Sequence, residues 1–128
     1  MRLFVFFVYL ALFTDLKGQT VKSVLEAMSS LDQAYMEKSF APDMAFYMDQ
    51  SDDPGSRAGG FSDLKTFLAA HRFKSYKLIH EGVAKGKEGF MGIGSIVTDK
   101  ARYRIYIVFK SVDNKSVVSE VRLEKELQ

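Results

Sequence analysis

The apolar residues after position 19 recur at the spacing of an α-helix. They form one stripe, and most of the positions between them are polar or charged. Thr20 precedes the stripe and predicts an N-cap, while Lys38 falls in the last turn, where a cation suits the helix dipole. Pro42 stops any continuation. The pattern therefore predicts a first helix whose buried stripe consists of Val21, Val24, Leu25, Met28, Leu31 and Tyr35.

A second, shorter helix is predicted after a segment rich in structure-breaking residues. Residues 44–48 predict a short strand or extended segment, and residues 49–60, with their Asp, Ser, Pro and Gly, predict a loop. Ser62 is a suitable cap for the second helix, which the pattern ends near Phe73. One face of this helix carries Leu64, Phe67, Leu68 and His71.

The remainder of the chain alternates between strand-like runs and turn clusters. Four strands are predicted at 76–84, 89–98, 101–110 and 117–123. The third is the clearest, because Tyr103, Ile105, Ile107 and Phe109 point one way and Arg102, Arg104 and Lys110 point the other. Short connections predict antiparallel neighbours, and Gly89, Gly92 and Gly94 permit a bulge or bend. Helices followed by a meander predict an α+β fold, with N-terminal helices packed on a curved antiparallel sheet.

The first residues have the pattern of a secretory signal peptide. Met1-Arg2 is a short positive region, and residues 3–13 are an unbroken apolar run, too short to span a bilayer as a helix. Cleavage after Gly18 would give a signal peptide at 1–18 and a domain at 19–128. The alternatives are a membrane anchor and a core element. Signal cleavage predicts a secreted, extracellular protein without membrane attachment, in which Asn114-Lys115-Ser116 is an N-glycosylation acceptor sequence.

Composition and charge exclude several classes of function. The formal net charge is +2, and basic and acidic residues are interspersed, so no basic patch predicts nucleic-acid binding. The chain has no cysteine, which excludes disulfides and thiolate metal sites. Two histidines without helical ligand spacing do not predict a zinc site. We therefore predict no cofactor and no metal.

The order of elements and the stretch at 40–49 (Phe-Ala-Pro-Asp-Met-Ala-Phe-Tyr-Met-Asp) resemble the nuclear transport factor 2-like superfamily, also called SnoaL-like or ketosteroid-isomerase-like. Gly59-Gly60-Phe61 is similar to the loop that leads into the superfamily's next helix. The resemblance covers residues 20 to 127. It implies a cone-shaped, cystatin-like α+β roll, a pocket between helices and sheet, and homodimers formed through the outer sheet face.

The catalytic residues of the isomerase branch are largely missing from this resemblance. Asp49 lies near the position expected for the carboxylate base. The strand from Tyr103 to Phe109 carries no carboxyl group, so the oxyanion-hole aspartate has no match, and the position expected for the tyrosine is apolar, near Leu25. Steroid isomerase chemistry is therefore disfavoured, and the prediction leans against an enzyme.

The inferred fold would bring several aromatic residues to the interior of the cone. They are either simple core residues or the lining of an apolar pocket with a few polar tips. His71 projects from the same helix face as Leu64 and can act as an acid or base or orient a ligand. Its alternative role is a helix-end imidazole bonded to backbone or solvent. The candidate pocket residues are Tyr35, Tyr47, Phe67, His71, Phe90 and Tyr103.

Three hypotheses of function follow, in order of preference. The first is a secreted, non-enzymatic protein that binds a small apolar ligand in the cone, which a cone filled by side chains would contradict. The second is an interaction module whose sheet face forms a homodimer or docks another protein, supported by Tyr106 and Val108 on an otherwise basic face. The third is a SnoaL-like enzyme using His71 or Asp49, which requires those side chains to converge in one cavity.

Overall fold

A computed structural model describes residues 20–50, 53–83 and 90–126. The described residues form three helices and six strands. The helices are α1 (Val21–Ser30), α2 (Gln33–Ser39) and α3 (Phe61–Ala70), and the strands are β1 (Phe40–Gln50), β2 (Asp53–Gly59), β3 (Phe73–Val83), β4 (Phe90–Thr98), β5 (Arg102–Val112) and β6 (Lys115–Lys125). None of these helices is long and apolar enough to cross a membrane.

The first predicted helix is in fact two helices. The predicted N-cap at Thr20 is confirmed: its hydroxyl accepts from the Ser23 amide, and the Ser23 side chain reciprocates in a capping box. Leu31 ends α1 in the left-handed conformation (φ 58°), and its amide donates to the carbonyls of Ala27 and Met28. Asp32 then caps α2 by accepting from the amide of Tyr35. Local capping overrides the apolar periodicity, which continues through both helices.

The segment predicted to be a loop forms most of a β-hairpin. β1 is longer than the predicted strand at 44–48, and β2 pairs with it antiparallel, from Phe46 opposite Gly59 to Gln50 opposite Asp53. β2 is an edge strand of the sheet, a position where proline and glycine are tolerated because one side needs no backbone partner. The proline and glycines at 53–59 therefore led to the prediction of a loop, although these residues form an edge strand.

The strands form one mixed sheet in the order β2-β1-β6-β5-β4-β3. Neighbouring strands are antiparallel except for β1 and β6, which are parallel. The predicted α+β class, with helices packed on a curved sheet, is confirmed. The parallel pair arises because β1 is separated from the four-strand meander by α3 and joins its far end, next to the last strand.

The described helices pack on one face of this sheet and create a continuous core. Tyr103, Ile105, Ile107 and Phe109 alternate inward along β5, as predicted, while the residues between them are more exposed. The core also takes in side chains from all three helices and from β1, β4 and β6: Val21, Val24, Leu25, Ala27, Met28, Met36, Phe40, Ala41, Met44, Phe46, Leu64, Phe67, Leu68, Ile96, Val118, Val121 and Leu123.

Two glycines of β4 give α1 its position on the sheet. A Cβ atom on Gly92 would overlap the side chain of Val21. One on Gly94 would lie 3.3 Å from Cδ1 of Leu25, 3.2 Å from Cγ2 of Ile105 and 3.0 Å from the Lys77 carbonyl oxygen. The sequence predicts that these glycines permit a bulge or bend. The nearby irregularity falls in β3, between Leu78 and His80, and the glycines themselves serve the close approach of the helix.

Gly92→Ala should therefore destabilise the protein by about 1–3 kcal/mol, because the new methyl group overpacks the contact with Val21. Denaturant unfolding measures the loss. Gly82→Ala is a matched control on β3, where a Cβ would meet only Nε2 of His80 at 3.6 Å and little change is expected. Adding Val21→Ala to Gly92→Ala should recover part of the loss. Additive effects of the two substitutions would contradict this contact.

Candidate functional site

Three of the predicted pocket residues form an aromatic cluster at the end of α3. The imidazole of His71 stacks on Phe67, with 4.0 Å between ring centroids, and Tyr103 meets Phe67 edge-on at 5.3 Å. Phe46 is also near Phe67, with 6.0 Å between the ring centroids. Nδ1 of His71 lies 3.0 Å from the Phe67 carbonyl oxygen, which fixes the ring at the helix C-terminus. This contact matches the alternative role predicted for His71, a helix-end imidazole bonded to backbone.

Tyr103 is the most deeply buried of the candidate residues. Its side chain emerges from β5 into the core, and only 5% of the residue is exposed. Burial raises the pKa of the Tyr103 phenol, because the phenolate would lose its hydration. Tyr103 is therefore neutral near pH 7 and provides a polar tip rather than a charge.

The other three candidates lie apart from this cluster. Phe90 stacks on Phe109, with 4.4 Å between centroids, and strand pairing puts it at the opposite end of β4 and β5 from Tyr103. The Tyr35 hydroxyl lies 2.8 Å from Oγ of Ser23 and ties α2 to the start of α1.

Tyr47 was predicted to face the interior of the cone, and this prediction is wrong. It pairs with Arg122 of β6, whose guanidinium lies 4.7 Å from its ring centroid, and it neighbours the inward-facing Phe46 in an alternating strand. Tyr47 is thus on the face of the sheet that the described helices leave uncovered. The six candidates do not converge, and in the described residues the concave side is occupied by tightly buried side chains.

The described part of the chain offers few elements of an active site. Leu25, near the position expected for the isomerase tyrosine, is fully buried in the core. Among the described residues no group of three or more His, Cys, Asp or Glu side chains could hold a metal ion. The side chain of Asp49 lies outside the described residues, so convergence of Asp49 with His71 stays a prediction.

The uncovered side of the sheet, which we call the outer face, has an apolar centre. Ile93 of β4 pairs with Tyr106 of β5, and Met91 pairs with Val108. These four residues are partly exposed and form two adjacent rows across the two strands. They alternate with the inward-facing residues of the core, so no reorganisation of the fold is needed to present them.

Charged residues continue the rows of the outer face onto β6. Arg122 lies opposite Tyr106 and Glu120 opposite Val108, while Glu124 pairs with Arg104. Burial and interaction with Glu124 raise the pKa of the Tyr106 phenol, and Arg104 acts in the opposite direction. The apolar centre is therefore bordered by charges of both signs.

A second surface feature is a cleft of about 350 Å³ between α1 and β3. Lys22 and Leu25 line it from the helix, and Tyr76, Lys77 and Leu78 line it from the strand. None of these five residues is among the sequence-based candidates. These residues come together only through the tertiary contact between α1 and the sheet, so the sequence alone does not identify them. In the structure, the feature that draws attention to them is the exposure of the apolar side chain of Leu78, at 38%.

The architecture defines the chain as a protein with a nuclear transport factor 2-like fold. Its sequence matches the family described as "Domain of unknown function (DUF4783)" over residues 21–124, and the chain belongs to that family. No curated protein matches it.

Solved structures support the assignment of the fold. A DUF4783 family protein from Bacteroides uniformis is similar at a TM-score of 0.70 and 19% identity, covering 86% of this chain and 100% of that one. A second, from Bacteroides fragilis, has a TM-score of 0.68 and 17% identity, covering 84% and 100%. An NTF-2 like protein of unknown function from Silicibacter pomeroyi has a TM-score of 0.65 and 10% identity, covering 92% and 96%. At these identities the likeness shows the fold.

Buried Tyr103 should make the protein less stable at alkaline pH. A raised pKa in the folded state means that its contribution is complete below the unfolded-state value of about 10 and is lost as pH rises through the folded-state value. The free energy of unfolding should therefore fall less between about pH 8 and about pH 11 in Tyr103→Phe than in the unmodified protein. Tyr47→Phe is the control on the outer face. An equal fall in all three proteins would contradict a raised pKa of Tyr103 in the folded state.

Proposed function

We propose that the protein is a non-enzymatic interaction module that forms a homodimer through its outer face. The observation that carries the proposal is the apolar centre of that face, formed by Met91, Ile93, Tyr106 and Val108 on two neighbouring interior strands, β4 and β5. Helices cover the opposite face, so this apolar surface has no cover from the described part of the chain. Burial of a central apolar patch is the usual driving force of such association.

The charges around this centre favour a second copy of the chain as the partner. Arg104 and Arg122 lie among Glu120 and Glu124, so the face carries both signs in neighbouring positions. A two-fold axis brings the same surface of each subunit together, which requires a self-complementary face. A face with arginines and glutamates in alternation can meet this requirement, whereas a face of one sign would repel its copy.

A small apolar ligand inside the cone has less support than this interface. Within the described residues the concave side is filled by buried side chains, including the candidates Phe67 and Tyr103. A ligand there would have to displace core side chains. A core with room for such a ligand would contain a cavity in the unliganded protein, and a cavity lowers the free energy of unfolding.

Val108→Asp should convert the dimer to a monomer, because it places a charge in the apolar centre without altering the inward-facing core residues. Sedimentation or native mass spectrometry at micromolar concentration measures the change. Leu31→Asp is the matched control: it adds the same charge at an exposed leucine between α1 and α2, in a left-handed conformation that aspartate also adopts.

The dimer proposal fails if the unmodified protein is a monomer under these conditions. It also fails if Val108→Asp remains a dimer. Circular dichroism of both variants identifies unfolding, and Leu31→Asp should retain the oligomeric state of the unmodified protein.

We also propose that residues 1–18 direct export and are removed, so that the protein acts outside the cell. The support is the apolar run at 3–13 after Arg2. Asn114 is exposed in the two-residue turn between β5 and β6, where Asp113 and Asn114 both have positive φ, and it is accessible to a glycosylation enzyme.

Intact-mass analysis of the full chain expressed in a eukaryotic secreting host should find Gln19 as the first residue. It should also find a glycan that Asn114→Gln removes. Retention of residues 1–18 on the secreted protein would contradict the cleavage. An unmodified Asn114 would contradict the glycan alone.

A further inference from the structure

We propose that the two-fold axis of the dimer runs parallel to β4 and β5, so that Lys77 of each subunit pairs with Glu124 of the partner subunit. This inference rests on the proposed dimer and names the charge contact that orients its two copies. The apolar centre of the outer face lies on β4 and β5, so an axis that brings this centre onto its own copy passes between these two strands.

One row of residues on the outer face crosses the sheet beside the apolar centre. It consists of Lys77 on β3, Ser95 on β4, Arg104 on β5 and Glu124 on β6, which are successive partners in the strand pairing. The row alternates with inward-facing residues, so its side chains lie on the outer face. Because the strand order is β6-β5-β4-β3, Lys77 and Glu124 lie equally far from the line between β4 and β5, on opposite sides of it.

A two-fold axis along that line exchanges the two sides of the row and preserves the position along the strands. It therefore brings Lys77 over Glu124 of the partner subunit, twice in each dimer. Arg104 meets the uncharged Ser95 of the partner subunit. The apolar centre meets its copy in the same way, with its β4 residues over the β5 residues of the partner subunit. The row is thus complementary to its own copy.

Lys77 and Glu124 are both available for this contact. Lys77 is exposed and forms no ion pair with another described residue. Glu124 interacts with Tyr106 of its own chain and remains partly exposed. A carboxylate accepts from several donors, so Glu124 can receive Lys77 of the partner subunit without losing its neighbours.

The distance from the axis also permits the contact. Neighbouring strands are about 4.8 Å apart, so β3 and β6 lie roughly 7 Å from an axis between β4 and β5. Packed sheets cross at about 30°, which displaces facing residues by roughly 4 Å at this distance. The flexible four-carbon stem of a lysine can span this displacement and the wider gap between two curved faces.

The other arrangement with aligned strands has its axis perpendicular to them, and it fits the charges less well. Each strand would then face its own copy about the apolar centre. Along β5, Arg104 would meet Lys110 of the partner subunit, so that two cations face each other. The favourable contact in that arrangement, between Arg122 and Glu120, would join groups that already pair within one chain, with Nε and Oε2 3.9 Å apart.

Charge reversal at the two positions tests the orientation by sedimentation equilibrium of the purified protein. Lys77→Glu and Glu124→Lys should each weaken the dimer about tenfold, because two attractive contacts per dimer become repulsive. An equimolar mixture of the two variants, one of them isotope-labelled, should form mainly heterodimers, since both contacts then join opposite charges. Native mass spectrometry distinguishes the heterodimer from the two homodimers.

Lys125→Glu is the matched control. It makes the same change in net charge at an exposed lysine of β6, next to Glu124 in the chain, but this lysine pairs with the inward-facing Tyr103 and belongs to the helical side of the sheet. Lys125→Glu should leave the dimer affinity unchanged. Recovery in the mixture also excludes a merely structural effect, because damage to the fold of either variant would persist in the heterodimer.

The possible outcomes separate the orientation from the dimer itself. If the unmodified protein is a dimer that Val108→Asp dissociates, the orientation alone is overturned when neither charge reversal weakens association. It is equally overturned when heterodimers in the mixture do not exceed the proportion expected from random pairing. A monomeric unmodified protein overturns the dimer and its orientation together.

Discussion

The contact of α1 with the glycines of β4 is the constraint on which the other features of this fold depend. Val21 sits where any side chain on Gly92 would be, and Leu25 is close to Gly94 and Ile105. Because the helix lies this near the sheet, Val24 and Met28 are buried between the helix and the sheet. The inward-facing side chains of β5, the strand next to β4, belong to the same core. A β4 with larger residues at both positions would hold α1 away from β5 and open the core.

The position of α1 also determines which surfaces remain available. With the helices on one side, the outer face keeps its apolar centre, bordered by charges of both signs, which is the basis for the proposed dimer. On the helical side, α1 leaves a gap against β3, in which Leu78 and Tyr76 are incompletely covered and Lys22 is unpaired within the described residues.

Local patterns predicted much of the fold, and tertiary contacts account for what they missed. Alternation in β5 and the cap at Thr20 could be read directly, because each is decided by near neighbours. Leu31 continues the apolar spacing but ends α1, since Asp32 starts a new cap. Tyr47 was wrongly predicted to lie in the cone, because an aromatic residue fits either face of a strand and its type alone does not determine which face it occupies. The cleft was not predicted, as Lys22 and Tyr76 meet only after α1 packs on the sheet.

The most direct test of this account is the distance between α1 and β4 in solution. Nuclear Overhauser spectroscopy of the isotope-labelled protein reports it through cross-peaks between the methyl protons of Val21 and the α-protons of Gly92. Strong cross-peaks are expected, together with peaks between the Leu25 methyl protons and Gly94. Assigned spectra without these peaks would place α1 elsewhere and would contradict the packing of this helix against β4.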